Sequence, residues 1–273
     1  TLYATDGSSE YVEMALVPFA GAVNIGSLNK TASWVDVDGD SAAAQEDYGS
    51  EQTYKWDPGN SLKGKSAYEF LDHYDESWLG CVRARVGTGT KPDGGSVDLD
   101  LWDIPPRDDD VNTKWAPFLY PVHVLNGFTN VSYWTVKNRL RRNRTCPSQP
   151  ILPLTNDKTT IKNKINNMVA NGFTSIPVGL MWGWRVLSSA EPYTEGDAEN
   201  NTQNRKVIVL LTDGQNHHGY HYNGIYSAYG LPNYGHLGSG WLGNQLDDKL
   251  KKICSNVKSQ NILIYSITFK LND

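Results

Sequence analysis

The run VIVLLT at residues 207–212, followed at once by Asp213 and Gly214, constrains this chain more than any other stretch. Val207, Ile208, Val209, Leu210 and Leu211 leave no polar position to face water. That is the pattern of a parallel strand covered on both faces, and so of a sheet flanked by helices. ILIYSITF (262–269) has the same character, with polar groups only near its end. YVEMALVPF (11–19) reads as a third strand containing Pro18, which cannot donate to a ladder.

Between the strands, the apolar period changes from continuous to helical. In 158–172, Ile161, Ile165, Met168 and Val169 fall on one helix face, Thr155, Asn156 and Asp157 are N-cap candidates, and Gly172 suits the C′ position. In 244–260, Leu246, Leu250, Ile253, Cys254 and Val257 form an equivalent stripe, which makes Cys254 a buried thiol. The segment 176–189 is apolar on nearly all sides, so it is expected to be a buried helix with Pro177 in its first turn. The order helix, helix, strand, helix, strand predicts an α/β domain with a doubly wound, mostly parallel sheet. Residues 1–26 and 150–273 carry that domain. Residues 27–149, rich in Asp, Gly, Trp and Pro, read as an insertion with irregular structure of its own.

Of the 273 residues only 20% are charged, and the net charge of −5 argues against nucleic acid as a partner. The basic cluster KNRLRRNR (137–144) reads as a solvated turn rather than a nucleic-acid or lipid patch. No run approaches the ~18 apolar residues of a membrane span, and TLYATDGSSE has neither a basic region nor an apolar core. The sequence is expected to be a mature or excised part of something longer. With Tyr 15, Trp 9 and Gly 25, its composition leans towards an extracytoplasmic setting. There, a disulfide between Cys81 and Cys146 becomes plausible.

Ligands bind beyond the carboxyl ends of the strands in open parallel sheets, and Asp213 stands at such an end. The turn NGFTSIP (171–177) offers Thr174 and Ser175 as hydroxyl donors. One carboxylate with hydroxyls and waters suits a hard cation, Mg²⁺ or Ca²⁺, better than zinc. The plainer readings are that Asp213 starts a turn and Thr174 caps the next helix.

VIVLLTDG, preceded by the GFT loop and an amphipathic helix, resembles a von Willebrand factor A-like domain. ALVPFAGAVNIG (15–26), SWVDVDGDS (33–41), WLGCVRARV (78–86), GFTSIPVGLMWGWRVLSSAEPYTEG (172–196) and VKSQNILIYSITF (257–269) narrow this. Together they resemble the TadG-like proteins of bacterial Tad (Flp) pilus assembly systems. The resemblance covers most of the chain and is loose between about 87 and 145. It implies a non-enzymatic envelope or surface protein, in the periplasm, at the cell surface or secreted, whose partners are proteins, surface glycans or pilus and envelope components. It also implies a metal-ion-dependent adhesion site made of a D-x-S-x-S loop, a Thr and the Asp of a T-D-G turn. Thr174 and Asp213 match the last two. Asp6-Gly7-Ser8-Ser9-Glu10 departs from the first, because Glu10 stands where the second Ser is needed and no helix fits before residue 11. The family's central first strand and closing helix are also unmatched. A longer parent chain or another chain is therefore expected to supply the strand, whose absence exposes apolar surface and unpaired edges.

In HHGYHYNGIYSAYGLPNYGHLGSGWLG (217–243), Tyr220, Tyr222, Tyr226, Tyr229, Tyr234 and Trp241 form a candidate recognition surface. The competing reading packs these aromatics back on the domain. His217, His218 and His221 raise a second function, a metal-dependent hydrolase using Asp213 and this cluster, but no H-E-x-x-H accompanies them. DVDGDSAAAQED (36–47) departs from a calcium loop in its Gly position and reads as a solvated turn. A third function is a structural subunit of a surface assembly with no working metal site.

Overall fold

A computed structural model describes residues 11–48, 53–54, 57–61, 68, 77–118, 145–198, 201–216, 227–230 and 242–269. The protein is mixed α/β, with its strands in short two-stranded sheets. The described elements are β1 (Met14–Leu16), β2 (Val23–Asn24), α1 (Ala42–Tyr48), β3 (Thr53–Tyr54), β4 (Asp57–Ser61), β5 (Cys81–Val82), β6 (Thr88–Thr90), β7 (Ser96–Asp98), β8 (Leu152–Thr155), α2 (Lys158–Asn166), α3 (Ile176–Arg185), β9 (Val207–Thr212), α4 (Leu242–Ser259) and β10 (Leu263–Thr268).

The parallel pair is β9–β10, in register from Val207 opposite Leu263 to Thr212 opposite Thr268. The other four pairs, β1–β8, β2–β5, β3–β4 and β6–β7, are antiparallel. Only three residues of the expected 11–19 strand, Met14–Leu16, enter a ladder.

Helix α2 starts where Asp157 accepts the Thr159 N–H at 2.8 Å. It stops at Asn166, short of Gly172, which instead takes φ 90° in the following loop. Helix α3 buries every residue but Gly183, as its all-round apolar sequence requires. It ends at Arg185, four residues early, because Leu187 and Ser188 donate to the carbonyls three residues back and tighten the chain. Phe19 fits against α3 where a side chain at Gly179 would meet its ring at 2.5 Å. Helix α4 buries Leu246, Ile253 and Val257 and leaves Leu250 and Cys254 half-buried, so the Cys254 thiol is only partly enclosed. Burial pushes that thiol's pKa up.

Two apolar clusters hold these elements. The larger joins Val23, Ile25, Trp34, Val82, Trp115 and Phe118 to Val178, Trp182, Val186 and Leu246. Residues of 27–149 thus share one core with α3 and α4. The smaller sets Leu180, Met181 and Trp184 against Ile208, Ile253 and Val257. A buried polar network ties the same parts together. Arg85 donates to the carbonyls of Ile104, Thr113 and Trp102 at 2.5, 2.9 and 3.2 Å, and its guanidinium lies 4.4 Å from the Trp115 ring. Arg185 of α3 lies 5.1 Å from the same ring, and burial lowers its pKa to about 10. Lys249 pairs with Asp100. Cys81 and Cys146 form a disulfide, closing a separation of 65 residues.

The expected double covering of the parallel sheet is absent among the described residues. Ile208 packs against α3 and α4, but Val209 is 60% and Leu211 63% exposed. Among the described residues, the run VIVLLT is therefore covered on one face only. On the edge of β9 away from β10, no described strand pairs.

Candidate functional site

At the carboxyl end of β9, the chain turns through Thr212-Asp213-Gly214. The Thr212 hydroxyl donates to the Gly214 carbonyl at 3.1 Å and accepts its N–H at 3.3 Å, which holds the turn shut. Asp213 is exposed on it. The loop before α3 arrives at the same place, since a side chain built on Gly214 would meet the Thr174 hydroxyl at 3.8 Å. The structure thus brings Thr174 beside the Asp213-Gly214 turn, although 39 positions separate Thr174 from Asp213.

The start of α3 is built unusually. Its N-cap residue is Ser175, not Thr174, and Ser175 makes no capping bond. Instead Asn216, from the loop after the T-D-G turn, accepts the Ile176 N–H at 3.0 Å through Oδ1. Its Nδ2 donates to Asp247 of α4 at 2.7 Å. One amide therefore fixes the T-D-G loop to two helices. Ser175 is 2% exposed and its hydroxyl has no hydrogen-bond partner. Sequence reasoning missed Asn216. Its only signal was an amide three residues past Asp213, with nothing to identify partners 40 and 31 positions away.

The donor set fits a hard cation in kind: the Asp213 carboxylate, the half-buried Thr174 hydroxyl and the orphaned Ser175 hydroxyl are all oxygens. It holds a single carboxylate. No three His, Cys, Asp or Glu side chains group as metal ligands among the described residues.

The aromatic loop is corrected at one position. Tyr229 is 1% exposed within the larger core, and burial followed by the Asp100 charge drives its phenol pKa well up. It has no surface to offer a partner, because Ser227–Gly230 closes a tight turn against the core, with Ala228 donating to the Gly21 carbonyl. Tyr220, Tyr222, Tyr226, Tyr234, Trp241, His217, His218, His221 and the 137–144 cluster lie outside the described residues.

The 36–47 loop is also no solvated turn at its start. Asp36 is 2% exposed, and its carboxylate accepts the N–H groups of Gly39, Asp40 and Ser41 at 3.1, 3.1 and 2.9 Å. Those bonds use the carboxylate to shape the loop ahead of α1.

This chain matches no protein-family model, no curated protein and no solved structure.

Proposed function

We propose that this chain is a non-enzymatic binding module of the TadG-like, von Willebrand A-like type, acting at the bacterial envelope or surface in pilus assembly or adhesion. The observation supporting this reading is the convergence of the Thr174 hydroxyl on the Asp213-Gly214 turn, at the carboxyl end of a parallel strand and the start of α3. Asp213 and Thr174, with Ser175 behind them, would hold Mg²⁺ or Ca²⁺. Such a cation would supply a positive centre for an acidic group on a partner protein or surface glycan. Asn216 keeps the two loops together, and the exposure of Asp213 leaves its carboxylate open to that partner. A strand from a longer parent chain or another chain, set against the edge of β9 where no described strand pairs, would complete the sheet beneath the site.

Calcium or magnesium titration of the purified protein by calorimetry tests the reading. Weak saturable binding is expected, falling at least tenfold in Asp213→Ala with the fold unchanged. Stoichiometric zinc that survives dialysis and is lost in His217→Ala would overturn it in favour of a metal-dependent hydrolase. A second reading, a structural subunit with no working metal site, is favoured by the bare apolar face of β9–β10. It predicts association that persists in chelator and in Asp213→Ala.

A further inference from the structure

Three buried N–H groups at the Trp115 indole have no acceptor among the described residues. They are Nε of Arg85, Nε of Arg185 and Nε1 of Trp115 itself. Arg85 and Trp115 are fully enclosed, and Arg185 is 3% exposed. Both guanidiniums lie against that one indole, their central carbons 4.4 and 5.1 Å from its centre. A buried donor left unmet costs its desolvation, so three of them around one ring call for a bound acceptor.

Charge points the same way. Arg85 spends its other nitrogens on the neutral carbonyls of Ile104, Thr113 and Trp102. Nε of Arg185 lies 4.0 Å from Asp103, close enough for an ion pair but beyond a hydrogen bond. Asp100, the other carboxylate that acts on these arginines, is held by Lys249. Among the described residues, three cations thus face two carboxylates, and one positive charge is left over in the core. Burial and then the Arg185 charge push the Arg85 pKa well down, as expected of a guanidinium with no carboxylate of its own. A guanidinium nevertheless keeps its proton in a protein, so the excess persists. A water between Arg185 and Asp103 would serve one of the three donors and leave the charge. An acceptor-only ion serves all three and removes it.

We infer that the core binds one chloride-sized anion at the Nε1 edge of Trp115, within reach of Arg85 and Arg185. The enclosed position favours an ion of one atom over a carboxylate or phosphate group. Trp115 and Arg85 belong to the segment 27–149 and Arg185 to α3, so the ion joins that segment to the helix. It uses no residue of the Asp213 turn, and its occupancy is independent of the cation site.

The native protein, exchanged into sodium gluconate, is titrated with sodium chloride or sodium bromide at constant ionic strength and melted by calorimetry. A saturable rise of about 2–4 °C is expected with either halide. Bromide-soaked crystals, measured at the bromine edge, should show an anomalous peak beside Nε1 of Trp115. Arg185→Met removes the surplus charge and one unmet donor while keeping an apolar stem, and it should lose the halide response. Trp115→Phe removes a second donor and should raise the half-saturating chloride concentration about tenfold. Where either variant fails to fold, the bromide peak in the native protein decides alone. Equal melting in gluconate and chloride overturns the inference. So does an unchanged response in Arg185→Met (a halide bound elsewhere), or density for water only at the Trp115 edge.

Discussion

Asn216 shows how one side chain can link local structure to a site. Its carbonyl oxygen caps α3 from outside the helix, and its amide nitrogen anchors on Asp247 of α4. Replacing it by Ala leaves the Ile176 N–H without its acceptor and costs about 1 kcal/mol, in the range of a lost N-cap. Asn216→Ala should therefore melt about 2–4 °C lower by calorimetry, a typical shift for a domain somewhat smaller than this chain. If the cation reading holds, its cation affinity should also fall, because the T-D-G turn is no longer fixed to the Thr174 loop. Ser175, at the N-cap position itself, could not rescue the helix without turning its buried hydroxyl towards the open N–H groups. Residue identity alone pointed to Thr174 and Asp213 but not to the amide that holds them.

At the scale of elements, the apolar periods readable in the sequence place α2, α3 and α4, and one cap is where the sequence puts it. That cap is Asp157. The Thr160 hydroxyl, at 2.5 Å, and then the Thr159 N–H hold its carboxyl below the ordinary carboxylate pKa. A carboxyl depressed on folding stabilises the folded state above its unfolded pKa, and that contribution is lost as pH falls through the folded value. The start of α2 should accordingly loosen only in acid, below the usual Asp range. Thr160→Val removes the leading cause, so the Asp157 titration followed by carbon NMR should move up towards the ordinary value. Helix ends were less legible. Helix α2 stops before Gly172 and α3 stops before Ser188, since each end depends on where the chain must turn to meet its neighbours.

Across the whole molecule, the segment 27–149 is tied to the α/β part by a shared core, by Arg185 of α3 over the Trp115 ring and by the Lys249–Asp100 pair, while a disulfide closes the segment on itself. Cys81 lies in β5 beside Asn24 of β2, so its bond to Cys146 ties the far end of that segment back to this ladder. Opening a loop of 65 residues releases chain entropy worth about 4 kcal/mol in the unfolded state. The double variant Cys81→Ser, Cys146→Ser should show a clearly lower urea midpoint and a somewhat steeper slope, because the unfolded chain exposes more surface without the cross-link, and dithiothreitol should reproduce both in the native protein.

The sequence by itself determined the identity and order of the main elements: the strands at 207–212 and 263–268, the helix between them, the two helices before them and the Asp157 cap; it made the Cys81–Cys146 pairing plausible. These follow from apolar period, capping chemistry and composition, which are local properties of the chain. The tertiary structure alone decided that no described element covers the outer face of VIVLLT, that Tyr229 is core, that Asp36 is buried, and that Asn216 closes the turn carrying Asp213 against α3. Each of those outcomes depends on contacts between residues far apart in sequence. An apolar strand reads the same whether one face or two are covered, and only the packed neighbours distinguish them.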